Sequence, residues 1–275
     1  NFSFFYYGPY STYGLLRQDD VIYNDLVSTL PDQSGKCHAI TGCTSGTGYW
    51  TALAAIRNNA ACLIMLNRKS DRATAAEVKL TVESTATKVI TVECDLQSFA
   101  SVRAAAVQVA TIAAEFGGLD TLVNNAGIMG FPDNRTGDGF DVQMQTNHLS
   151  HFLLTKLLMP SLDAAAAARG EARIVQHSSG ARSKKMSADQ IGNLNASFFS
   201  KCDAGTLGGD SPPPVCFNRY HQTKLANSVF MAALHHRLTA AGKTTIKSVC
   251  AEPGVASTSL GGNLAAAHAA KNLPA

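Results

Sequence analysis

Tyr220 and Lys224 stand four positions apart in NRYHQTKLANSVF, residues 218–230. On a helix this spacing stacks one side chain above the other, so a phenol that moves a proton and an ammonium that tunes it could share one face. An unperturbed tyrosine, with a pKa near 10, is only about 0.1% ionised at neutral pH, so the cation would have to favour the tyrosinate. The spacing alone is equally compatible with an ordinary helix face. A second pattern narrows the chemistry: TGCTSGTG, residues 41–48, sets Gly42, Gly46 and Gly48 between an apolar run and a helical pattern. Glycines at such a turn bring backbone N–H groups onto a pyrophosphate at a helix N-terminus. Ser45 adds a hydroxyl donor there. The next apolar run, CLIMLN, closes on Asn67, Arg68 and Lys69 without an acid. An acid at that point would accept a ribose 2'-hydroxyl and repel a 2'-phosphate, whereas two cations favour the phosphate. Charge-assisted contacts of about 1.5–3 kcal/mol give about tenfold or better discrimination. The pattern predicts NADP(H), read mainly by Arg68.

The elements that must hold these residues alternate along the chain. Strand-like runs lie at 37–41, 62–67, 88–94, 119–125, 172–178 and 245–251, with helical patterns near 48–59, 71–84, 98–116, 140–163 and 219–241. Alternating strands and helices predict an α/β fold, a doubly wound parallel sheet of Rossmann type in a single domain. Ligands in such a sheet sit beyond the carboxyl ends of the strands. Residues 1–35 read as an aromatic-rich extension and 36–275 as the nucleotide-binding domain, with a loop insertion at about 183–218. Phe2, Phe4, Phe5, Tyr6, Tyr7, Tyr10 and Tyr13 crowd the extension, and aromatics this dense are expected to lie on their own domain, a partner or a membrane surface.

Bulk composition excludes several classes. The 275 residues carry a net charge of +3 with 16% charged and 45% hydrophobic residues, which argues against nucleic acid as a partner. Apolar stretches such as AACLIML, residues 60–66, fall far short of the roughly 18–20 residues that cross a bilayer. Seven cysteines without CxxC spacing read as small buried hydrophobes in a reducing compartment. The absence of an initial methionine is expected of a processed chain, consistent with an organelle such as a chloroplast or mitochondrion. His148 and His151 share a helix face but have no carboxylate or cysteine cluster beside them, so no metal is expected. Alanines 164–168 read as helix-forming filler.

Taken in order, TGCTSGTG, CDL (94–96), NNAG (124–127), Asn147 in NHLSHFLLT, RIVQHSSG (173–180), YHQTK (220–224) and EPG (252–254) resemble the short-chain dehydrogenase/reductase family. The likeness covers about residues 36–260, and is strongest to the retinol dehydrogenase-like and protochlorophyllide reductase-like branch. It implies a catalytic group of Asn147, Ser179, Tyr220 and Lys224. It also implies that Asp95 and Leu96 border the adenine, that Asn124, Ala126 and Gly127 support the middle of the cofactor, and that Pro253 and Gly254 belong to its site. Ser179 would hydrogen-bond the substrate oxygen, Asn147 would position a water leading from Lys224 to solvent, and Lys224 would hold the nicotinamide ribose. Ser179 is chosen over Ser178 because Ser178 would point to the other side of its strand.

The implied activity is hydride transfer between nicotinamide and a carbonyl or alcohol of an apolar retinoid-, lipid- or isoprenoid-like molecule. Two departures bear on that substrate. Forty residues separate Ser179 from Tyr220, including KCDAGTLGGDSPPPVCF, a loop expected near the site entrance. After EPGVASTSL only a Gly/Ala-rich tail follows, so the last strand common in the family is expected to be missing. Two rival readings stand beside this one. One is a protochlorophyllide reductase-like enzyme acting on a carbon-carbon double bond, whose cysteine-bearing pigment motif finds no clear counterpart. The other is an accessory subunit of a larger complex, docked through residues 1–30.

Overall fold

The structure, a computed structural model, describes residues 21–183, 194–203, 206, 210–211, 217–254, 265–267 and 269–271. The aromatic cluster of the extension and much of the Gly- and Pro-rich insertion therefore lie outside the described residues.

Six strands form one sheet: β1 (Cys37–Thr41), β2 (Cys62–Asn67), β3 (Lys88–Glu93), β4 (Thr121–Asn124), β5 (Ala172–His177) and β6 (Ile246–Ala251). Their order is β3-β2-β1-β4-β5-β6, and every adjacent pair is parallel. β1 and β2 are buried along their whole length, which is why they read as unbroken apolar runs rather than alternating ones. Helices α2 (Gly46–Arg57) and α3 (Asp71–Thr81) cover one face, packing Leu53, Ile56, Ala76 and Leu80 on Ile40, Leu63 and Met65. The other face receives α4 (Phe99–Ala114) and α6 (Ser150–Arg169), with Val102, Val109, Leu154 and Leu158 over Ile64, Leu122 and Ile174. Helix α7 (Asn218–Ala240) adds Leu238 to that second core. Among the described residues no helix is long and apolar enough to cross a membrane.

Three local features depart from the sequence expectation. A short helix α1 (Val21–Ser28) precedes the sheet and docks through Tyr23, whose hydroxyl donates to the Trp50 carbonyl at 2.8 Å. The single helix expected over 140–163 is instead α5 (Val142–Met144), a π turn (Gln145–Leu149) and α6. Helix α6 also runs through Pro160 to Arg169, because the alanines 164–168 sustain it until Gly170 closes it in the left-handed region at φ 82°.

The sheet order reverses between β1 and β4, so the loops leaving these strands diverge to opposite faces and leave a crevice at their carboxyl ends. Most of the candidate residues line that crevice, and Gly48, Asn124 and Asn147 stand behind its wall.

Candidate active site

The loop after β1 is shaped by backbone need. Gly42 has φ 72°, and a Cβ there would meet the Ala126 Cβ at 2.9 Å; Gly46 has φ 60°. Gly48 serves packing instead: a Cβ would lie 2.3 Å from the Gly42 carbonyl oxygen, so it lets α2 close on its own loop without lining the cleft. Ser45 occupies the N-cap of α2 but its side chain makes no capping hydrogen bond, whereas Ser70, Ser98 and Asp141 accept from Ala73, Ser101 and Met144 at the starts of α3, α4 and α5. The first-turn amides of α2 thus face the cleft without an acceptor from their own cap.

A cleft of about 890 Å³ runs from this loop to the start of α7, and Gly42, Ser45, Gly46, Arg68, Asp95, Leu96, Ala126, Gly127, Ser179, Tyr220, Lys224, Pro253 and Gly254 all line it. At its β2 end, Arg68 and Lys69 are exposed on the rim, and Arg72 joins them, donating to the Thr44 hydroxyl at 3.1 Å. Arg72 was not anticipated; its place in the first turn of α3 brings it back over the loop. The Asn67 side chain accepts from the Cys43 amide at 3.0 Å, and its buried amide nitrogen has no partner.

Asn125, rather than Asn124, is the asparagine of the cleft. Strand alternation turns Asn124 into the core, where its amide donates to Thr155 at 3.0 Å. Asn125 donates to the Thr41 and Gly42 carbonyls at 2.8 and 3.2 Å and accepts from Thr47 at 2.9 Å, tying the glycine loop to β4. Thr41 is also unforeseen. Its hydroxyl accepts from the amides of Asn125 and Ala126, both at 3.0 Å, and meets His151 Nε2 at 2.9 Å. His151 Nδ1 faces the Asn147 carbonyl at 3.1 Å, so it must carry the hydrogen and leave Nε2 as acceptor for Thr41. Full burial lowers the His151 pKa to about 3, which keeps the ring neutral for both bonds.

At the other end, Ser179, Tyr220 and Lys224 converge. Ser179 stands close enough to Tyr220 to oppose the rise in its pKa, while Ser178 spends its hydroxyl on the Lys224 carbonyl at 2.8 Å, as strand alternation requires. Lys224 Nζ lies 5.6 Å from the Tyr220 ring centroid and donates to the His177 carbonyl at 3.0 Å. Acidification of Tyr220 by Lys224 is not what this arrangement delivers. Burial raises the phenol's pKa, opposed by Ser179, and burial also lowers the Lys224 pKa to about 8. The ammonium is anchored on a carbonyl beside the ring, not on the phenol oxygen.

Asn147 sits behind this trio in the π turn, fully buried and not lining the cleft. Its side chain accepts from the Ile128 amide at 2.8 Å and donates to the Ile128 carbonyl at 2.8 Å and Thr223 at 3.0 Å. With both side-chain groups engaged, the expected water-positioning role does not fall to them; the residue braces Ile128 and α7. His148 is also a core histidine, bonded to Asn227 at 2.9 Å. Among the described residues no group of three or more His, Cys, Asp or Glu could hold a metal, and the six described cysteines are free thiols.

The cradle fits a nicotinamide dinucleotide: a glycine turn that excludes Cβ atoms, unclaimed helix amides, a cationic rim at one end and a tyrosine-lysine pair at the other. The model of the short chain dehydrogenase family matches residues 36–191, more than half of the chain. The chain belongs to the short-chain dehydrogenase family.

Relatives of this short-chain dehydrogenase are retinol dehydrogenase-like. Human retinol dehydrogenase 13 is 33% identical over 261 residues, covering 92% of this chain and 70% of the relative. Mouse polyprenol dehydrogenase is 32% identical over 231 residues, covering 84% and 63%. The crystal structure of an uncharacterized protein from Mycobacterium paratuberculosis superposes with a TM-score of 0.63 at 33% identity, covering 89% of this chain and 79% of the other. The chain spans 64%, 58% and 70% of the length of three of its relatives.

Proposed function

We propose that the protein is an NADP(H)-dependent oxidoreductase that moves a hydride between nicotinamide and a carbonyl or alcohol of an apolar, retinoid- or isoprenoid-like molecule. The observation that carries this reading is a single cleft with Arg68, Lys69 and Arg72 at one end and Ser179, Tyr220 and Lys224 at the other. The first group suits a 2'-phosphate and the second a carbonyl oxygen. Support for the substrate class comes from Ile128, Phe131, Ala266 and Ala267, which line the cleft, and from relatives named for retinol and polyprenol.

When bound, the nicotinamide supplies or accepts the hydride. The chain's own residues handle the proton. In reduction, the carbonyl oxygen gains negative charge as its carbon gains the hydride, and Ser179 and Tyr220 stand together to receive that oxygen. Tyr220, whose raised pKa keeps it protonated at neutral pH, donates its proton to the oxygen. Lys224, which carries its charge below about pH 8, stays on the His177 carbonyl beside the phenol ring, where it would hold the nicotinamide ribose. Oxidation of an alcohol needs Tyr220 to start ionised, so that direction is expected to gain rate as the pH rises.

The test is a titration and a turnover assay on the purified chain. NADPH is expected to bind more tightly than NADH by protein fluorescence, and retinal or a short polyprenal to be reduced with loss of absorbance at 340 nm. Tighter binding of NADH would remove the cofactor assignment. Turnover that survives in Tyr220→Phe would remove the mechanism.

A further inference from the structure

One residue before the tyrosine lies the most confined cation of the described interior. Arg219 is 1% exposed, and Nη1 pairs with Asp133 at 2.6 Å and with Asp141, both carboxylates nearly inaccessible. Nη2 donates to the carbonyls of Phe131 and of Pro132, the latter at 3.2 Å. Every one of these acceptors belongs to one segment, 131–141. A buried ion pair is a weak source of net stability, because desolvation offsets the attraction. What a planar guanidinium does well is fix orientation, since its forked donors fit only one arrangement of acceptors.

The geometry of that segment shows what is being oriented. Phe131 lines the cleft, and its carbonyl is held by Arg219, the residue next to Tyr220. Asp141 accepts from the Met144 amide at 2.8 Å and so caps α5, which leads directly into the π turn holding Asn147. Asp133 extends the connection outward: its amide donates to Asp210 of the insertion at 2.8 Å, and its carbonyl accepts from Lys271 at 2.7 Å. Lys271 also reaches both oxygens of Asp210 at 3.1 Å, and lies four residues after Ala267 of the cleft wall. Segment 131–141, the insertion, the first turn of α7 and the C-terminal stretch thus meet at one charged clasp beside the cleft.

We propose that Arg219 is a positioning residue for the substrate end of the cleft: it holds segment 131–141 against the first turn of α7, and Asp133, Asp210 and Lys271 extend that hold to the insertion and to the Ala266–Ala267 wall. The inference rests on the oxidoreductase reading for its kinetic consequence but not for its structural one.

The experiment uses the full chain with Arg219→Lys, Arg219→Met and Lys271→Met. Each is measured for NADPH affinity, for kcat and KM with retinal, and for hydrogen exchange in peptides covering 131–141 and 265–271. Lys271→Met is expected to raise KM by about tenfold, the loss of a charge-assisted contact, with kcat moving less and NADPH affinity within about twofold. Arg219→Lys keeps the charge but not the fork, and is expected to lower kcat by about tenfold with NADPH affinity again held. Both variants should exchange faster in the two peptides. Unchanged kinetics together with unchanged exchange in Lys271→Met and Arg219→Lys would overturn the proposal, even if Arg219→Met fails to fold. If the wild-type chain turns over no carbonyl, the exchange measurement still decides the clasp, and only the activity assignment falls.

Discussion

The two ends of the cleft are built by different means. At the cofactor end, neutral groups and main chain do the work: Thr41, Asn125 and the glycine loop bond to one another at the ends of strands that the sheet already holds in register. At the substrate end β5 supports Ser179 and Lys224, but the outer wall has no ladder behind it. Segment 131–141, the described part of the insertion and the short helical stretch at 265–267 lie outside the sheet, and charged side chains join them across 77 to 138 residues of sequence. Where hydrogen-bonded strands converge, short polar side chains suffice to set positions. Where segments outside the sheet converge, orientation has to come from ion pairs, which act at longer reach but depend on the whole chain being folded.

This contrast can be broken one end at a time. Tyr220→Phe should lower kcat/KM for retinal reduction by about 100- to 10,000-fold, the usual range for a lost general acid, while NADPH affinity in a fluorescence titration stays unchanged. Gly42→Ala should do the reverse. The left-handed φ of 72° and the 2.9 Å approach to Ala126 make an added methyl cost about 1–3 kcal/mol, read as NADPH affinity weakened about tenfold or more.

A subtler break is available through pH. His151, with a folded pKa of about 3 against 6.5 unfolded, takes up its proton first in the unfolded chain. Its contribution to stability is therefore full above about pH 6.5 and is lost as the pH falls toward 3, amounting to about 2 kcal/mol between pH 6.5 and about 5. His38 and His177, each lowered to about 4 by burial, add to the same slope. Thermal melts should show the wild-type chain losing stability from pH 7 to about 5, and His151→Asn losing less over that window; an identical slope in the variant would show that protonation of this ring does not contribute to the loss. The smallest effect is expected from Arg68→Ala, with NADPH affinity down about tenfold and NADH affinity within about twofold, because the exposed rim is screened and Lys69 and Arg72 remain.

The same contrast explains what could be read beforehand. β1 and β2 are visible in the sequence because burial on both faces demands uninterrupted apolar runs, and β5 and β6 because their buried positions alternate with exposed ones; only strand ends shift, as with β4, which occupies 121–124 of the expected 119–125. The glycine loop is visible because spacing carries its geometry. The choice between Asn124 and Asn125 is not, since it depends on which face of β4 each side chain leaves, a matter settled by Thr155 on α6. Thr41 and His151 are separated by 110 residues, and no local pattern announces their contact. Arg219, although adjacent to the tyrosine that first drew notice, looks like any basic residue in a helical turn until its two carboxylates come together. The expected acidification of Tyr220 misses for a related reason: sequence spacing supplies proximity to Lys224, but burial decides the sign.

The uncapped start of α2 has one further consequence. Ser70, Ser98 and Asp141 complete their helices from within, but the turn after Ser45 waits for an anion from outside. A dinucleotide's pyrophosphate would then finish the helix as well as occupy the crevice, so heat resistance should climb with the logarithm of dinucleotide concentration. Recognition of the ligand and completion of the fold would be a single event.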